Sequence, residues 1–173
     1  YTINGNDNPV IELSNDFYFD PAYDAAFVNG IVINRPVTIK GNGNAIDAKR
    51  QARIFYVQSA NAVLENLTII NANYNGDGGA IYFSISATSG TVSNCNFVDN
   101  KETGDYSYGG AVYFDSNGEV TNCNFVDNKA TGDYSYGGAI YIYSGTVTNC
   151  NFTNNKATGS NSWGGAVCFW SNG

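Results

Sequence analysis

Two short words recur in this chain and restrict it to one kind of architecture. A Gly-Gly-Ala-(Ile/Val) word begins at Gly78, Gly109, Gly137 and Gly164, and an Asn-Cys-Asn-Phe word begins at Asn94, Asn122 and Asn149. Copies of the first word are spaced by 31, 28 and 27 residues. Self-similarity at such a period marks a solenoid, in which each repeat is one turn and buries its apolar side chains against its neighbours.

The unit is made of strands. No window after Gly78 places apolar residues at i, i+3, i+4 and i+7, which excludes helical repeats. Ile81, Phe83 and Ile85 alternate with Tyr82 and Ser84, and Val112 and Phe114 flank Tyr113. Val120, Cys123 and Phe125 alternate with Thr121 and Asn124, with a one-residue slip at Asn122. Period-two alternation of β-branched and aromatic residues means strands. The slip keeps one face apolar only if the chain bends at Asn, a residue that tolerates left-handed backbone.

The expected fold is therefore all-β, a parallel β-helix with about 27–31 residues per coil. The crossover rule makes it right-handed. In the copy at 109–136 strands are expected at 111–114, 119–121 and 123–127, with a loop over 128–136 closing the turn. Residues 31–173 form the β-helix, and 1–30 a lead-in segment or cap with a loop or helical turn at 20–27. The chain reads as a segment of a longer repeat protein, stopping inside its last coil. About five complete coils follow. Asn66, Asn94, Asn122 and Asn149 are expected to stack at corners. Cys95, Cys123 and Cys150 form one internal column, and Phe97, Phe125 and Phe152 another that continues through Ile69 and Ile39.

Composition removes several functions. The net charge is -7 with no basic stripe, which argues against nucleic acid. No apolar run approaches ~20 residues, so no membrane insertion is expected in this segment. There is no His, and the four Cys lack zinc-type spacing. No cofactor or bound metal is expected.

The Gly-Gly-Ala-(Ile/Val) word, together with Phe-x-x-Asn at Phe97–Asn100, Phe125–Asn128 and Phe152–Asn155, resembles the paired repeat words of the polymorphic membrane proteins, surface adhesins with a β-helical passenger. The chain is also similar to the adhesin-like surface proteins of methanogenic archaea. There, segments like 37–47, 53–57 and 67–73 lead into Gly-Gly-Ala repeats. The likeness covers about residues 30–173. It implies an extracellular, cell-surface location and attachment to a host or neighbouring cell, with no shared catalytic residues.

Strand parity points Tyr82, Tyr113 and Tyr141 outward as an exposed aromatic strip. The closing loops add Tyr106, Tyr108, Tyr134, Tyr136 and Trp163. Such rings suit glycans and protein surfaces, with sheet stabilisation as the plainer role. The paired acids Asp99/Asp127 and Asp105/Asp133 lie one coil apart, near the separation used in glycoside cleavage or for holding calcium. Their recurrence follows from duplication and is no evidence for chemistry. The Cys column reads as reduced, buried thiols, and Cys168, in an outward Tyr slot, as the reactive one. Asn66 and Asn151 head glycosylation sequons, with Asn66 committed to its corner and Asn151, pointing outward, the better acceptor. The expected function is a non-enzymatic adhesin-like stalk or display scaffold. Two alternatives are a polysaccharide lyase or hydrolase, and a filament subunit self-associating through an open C-terminal coil.

Overall fold

The computed structural model describes residues 8–171. Every strand pair is parallel, and each strand pairs with its equivalent one coil away. One face stacks Phe17–Tyr18, Ala45–Asp47, Thr68–Ile70, Asn96–Val98, Asn124–Val126 and Asn151–Thr153, so the coil is six rungs deep. Parallel pairing already begins within the segment 1–30, where Val10–Glu12 lies on Thr38–Lys40. The same segment holds a helical turn, Pro21–Asp24, whose first turn is capped when the Asp20 carboxylate accepts from the Ala22 amide at 2.9 Å. No helix among the described residues is long and apolar enough to cross a membrane.

Three columns of left-handed residues turn the corners. Asn66, Asn94, Asn122 and Asn149 form the first, with φ of 53–54°. Asn71, Asp99, Asp127 and Asn154 form the second, with φ of 55–57°. Asn and Asp accept this region more readily than other residues with a Cβ. The third is the leading glycine of each Gly-Gly-Ala word, at φ 65–67°. The following glycine is required by proximity: a Cβ on Gly110 would lie 2.2 Å from the Gly138 carbonyl oxygen of the next rung.

The segment expected to close each turn as a loop is more regular than that. Residues 128–136 carry two further strands, Lys129–Ala130 and Tyr134–Tyr136, each stacked on its equivalents. The strands expected at 111–114 and 119–121 are one continuous strand, Val112–Thr121.

Inside, the columns are continuous. Phe97, Phe125 and Phe152 stack with centroids 4.8 and 5.1 Å apart. Ile69 continues this column, but Ile39 does not. Ile46 takes that place, and Ile39 pairs with Leu64 on the preceding face. The cause is corner length: residues 41–44 bulge where Asn66 and Leu67 turn directly, and the Gly43 amide donates to the Asn66 carbonyl at 2.9 Å. Phe125 is fully buried. Phe125→Ala should lower unfolding free energy by about 3–5 kcal/mol, read by urea titration, because the rings above and below hold the void open.

A third internal column is polar. Asn100 and Asn128 are fully buried, and Asn155 continues their line. Each side-chain amide of Asn100 and Asn128 donates to the oxygen of the next Asn, at 3.0 and 2.9 Å, and to a main-chain carbonyl of the rung before. The Phe-x-x-Asn word thus places a ring in the apolar column and an amide in the hydrogen-bonded one.

Candidate functional site

Outward positions on one face place Tyr56, Tyr82, Tyr113 and Tyr141 in register. The first three stack, with centroids 5.4 and 5.0 Å apart, and Tyr141 meets Tyr113 edge-on at 5.1 Å. The expected exposed strip is not what forms. Tyr113 is 8% exposed and Tyr141 4%. The closing arms fold back against the column. Tyr108 stacks on Tyr113 at 5.3 Å and meets Tyr141 edge-on, Tyr136 packs on Tyr141, and Trp163 packs on Tyr136. The arms are held because Ser107 and Ser135 turn inward, fully buried, and donate to the Gly104 and Gly132 carbonyls. What remains in solvent is the outer side of the arms, where Tyr106 and Tyr134 stack at 4.9 Å. Tyr106 is 57% exposed, and Trp163 lies exposed one rung on.

The arm ladder starts at Tyr106–Tyr108. The preceding rung runs from Tyr74 to Gly78 without such a strand. Arg53 lies there, over the Tyr56, Tyr74 and Tyr82 rings. Its guanidinium donates to the carbonyls of Asn29 and Asp77 and lies 4.2 Å from the Tyr74 ring, 5.0 Å from Tyr56 and 5.5 Å from Tyr82. The tyrosine ring faces stabilise the buried cation. The Tyr82 hydroxyl donates to Asp115 at 3.1 Å. Burial, and then the Asp115 charge, hold the Asp77 carboxyl above its usual range, and Arg53 opposes them.

Glu102 lies at the foot of the arms. It is fully buried, where the next two rungs carry Ala130 and Ala157. One carboxyl oxygen accepts from the Gly76 and Gly104 amides at 2.9 and 2.7 Å, and the other has no partner. Burial pushes its pKa up to about 7, against the lowering effect of the nearby Ser107 hydroxyl and of those amides. The sequence signal for Glu102 is its departure from the repeat, an acid where the two later copies carry alanine.

The repeated acids are placed differently from one another. Asp99 and Asp127 turn the second corner, and Asp99 pairs with Arg50. Asp105 and Asp133 stand exposed on the arms, away from Asp77 and Asp115. Cys95, Cys123 and Cys150 superpose as expected and are free thiols. Cys168 sits half-buried on Tyr141. Of the two sequon residues, Asn66 turns its corner as expected, and Asn151 is exposed, with its side-chain amide donating to the Asn124 oxygen at 2.9 Å.

A family model described as the right handed beta helix region matches residues 2–146. A second, described as the Chlamydia polymorphic membrane protein repeat, matches residues 149–169. No curated protein and no solved structure matches the chain.

Proposed function

Because the chain belongs to the right-handed β-helix family, we propose that it is the rigid, non-enzymatic shaft of an adhesin-like protein displayed outside the cell. The polymorphic membrane protein repeat at its C-terminal end supports surface display. The observation that carries the reading is the division of the tyrosines. The inner column stiffens the coil, and the stacked Tyr106–Tyr134 pair is left in solvent on a backbone ladder. Flat, wet aromatic faces fixed at one-rung spacing suit contact with glycans or another protein surface.

The test is a glycan array and a whole-cell binding assay on the wild-type chain and the Tyr106→Ala/Tyr134→Ala variant. The variant should unfold like wild type and bind at least tenfold more weakly. Equal binding by both would remove the arms from the contact. A carbohydrate-cleaving reading draws on Asp77 and Asp115 beside Tyr82. It would replace the adhesin reading if wild type released reducing ends from the arrayed glycans and Asp77→Asn did not.

A further inference from the structure

The outward aromatic column differs from the internal one in chemistry. Phe97, Phe125 and Phe152 stack as plain hydrocarbon rings, so packing between rungs does not call for hydroxyls. The outward column and its arms are built instead from tyrosine and tryptophan, the aromatic side chains that give up one electron most readily. Their contacts are also continuous. Trp163 packs on Tyr136 with centroids 5.6 Å apart, Tyr136 on Tyr108 at 5.2 Å, Tyr108 on Tyr113 at 5.3 Å and Tyr113 on Tyr82 at 5.0 Å. A second branch joins Tyr136 to Tyr113 through Tyr141, at 6.0 and 5.1 Å. The ends of the path stand three register steps apart, or ~15 Å, and touching rings pass an electron over that span far faster than a single jump would.

The two ends are unlike. Trp163 is 64% exposed, where an oxidant in solution meets it. Tyr113 and Tyr141, along the path, are covered and are reached only through their neighbours. At the far end the Tyr82 hydroxyl donates to the Asp115 carboxylate at 3.1 Å. Burial first, and then the charges of Asp77 and Asp115, hold the Tyr82 phenol above its usual range. The phenol is therefore protonated at neutral pH, and its oxidation must release a proton. Asp115 is a base within hydrogen-bond reach of that proton.

We propose that Trp163, Tyr136, Tyr108, Tyr113 and Tyr82 form a one-electron relay that carries oxidation from the surface of the coil to a tyrosyl radical at Tyr82. A one-electron oxidant, a high-potential metal complex or an oxygen-centred radical, takes an electron from the Trp163 indole. An electron from Tyr82 then passes through the intervening rings and refills the indole. As it leaves, the Tyr82 O–H bond breaks and the proton bonds to the Asp115 carboxylate. The products are the reduced oxidant, a neutral tyrosyl radical and a protonated Asp115. Return of one electron to Tyr82 returns the proton as well. The relay is independent of the proposed contact surface, because Tyr106 and Tyr134 lie outside the path.

The experiment generates tris(bipyridine)ruthenium(III) by a laser flash beside the purified chain. It follows tryptophan and tyrosyl radical absorbance, with electron paramagnetic resonance on samples frozen after the flash. In wild type a fast fraction of the tryptophan radical should decay as tyrosyl radical grows. Trp163→Phe and Tyr136→Phe should each remove that fraction, the second because both branches run through Tyr136. Trp170→Phe should keep it, since Trp170 is exposed but outside the path. Tyr82→Phe keeps the ring and Asp115→Asn keeps the shape, and each, with the same fold by circular dichroism, should shorten the tyrosyl lifetime at least tenfold. A fast fraction that survives Tyr136→Phe, a lifetime unchanged in Tyr82→Phe or in Asp115→Asn, or no fast fraction in wild type would overturn the relay.

Discussion

Asn128→Ala is expected to lower unfolding free energy by about 3–5 kcal/mol. The Asn128 side-chain oxygen accepts from the Asn100 main-chain and side-chain amides, at 3.1 and 3.0 Å. Its amide donates to the Phe97 carbonyl at 3.0 Å and to Asn155 at 2.9 Å. Removing it leaves donors on Asn100 and an acceptor on Phe97 unpaired in a site no water reaches. Each buried orphan costs about 1–3 kcal/mol, and the neighbouring rungs prevent collapse. Asn124→Ala is the matched control. Asn124 also bridges two rungs by its amide, but it is exposed, so its partners regain water. That variant should stay within ~0.5 kcal/mol of wild type. Urea unfolding, with hydrogen exchange to locate the loss at the Asn100 and Asn155 rungs, reads both. Equal effects of the two substitutions would show that the buried ladder adds no more than the surface one.

The second large effect is a pH dependence from Glu102. Its pKa is about 7 in the folded chain, against ~4.3 in an unfolded one. The folded state therefore binds this proton more tightly than the unfolded state does. Its stabilisation is complete below about pH 4 and is lost as pH rises through about 7. The size is about 3 kcal/mol across the window, because the carboxylate that forms is enclosed and one of its oxygens lacks a donor. Glu102→Gln retains an oxygen for the Gly76 and Gly104 amides and cannot ionise. Relative to wild type, its unfolding free energy should rise by about that amount between pH 5 and pH 8.5, whatever its offset at pH 5. Parallel pH profiles would show that the carboxyl titrates as if in water. The loss at high pH falls where the arms begin, so the Tyr106–Tyr134 surface should loosen before the coil does.

Period and parity explain most of what was legible. The spacing of the Gly-Gly-Ala words placed each strand over its equivalent, and the slip at Asn122 located a corner that the backbone realises at φ 54°. Alternation put Phe125 inside and Tyr113 outside its strand. Ile39 was assigned to the wrong column because corner length does not appear in an apolar pattern. Four residues at 41–44 and two at 66–67 produce the same alternation and different faces.

The exposure of the tyrosines was not legible, for a related reason. Parity states which side of its own strand a residue occupies, and says nothing about what another segment lays over that side. Tyr113 points away from the coil interior and is still covered, because Ser107 anchors an arm that brings Tyr108 against it. Glu102 was written plainly in the sequence as the acid in an alanine slot, yet its raised pKa comes from burial by segments that the sequence does not place beside it, the Gly76 amide reaching it from 26 residues away. Repeat length and side-chain alternation are properties of one dimension, and they were enough to establish a stacked parallel coil and its internal columns. Coverage, solvation and proton affinity depend on which segments meet in three dimensions, and these were set by the fold of the arms.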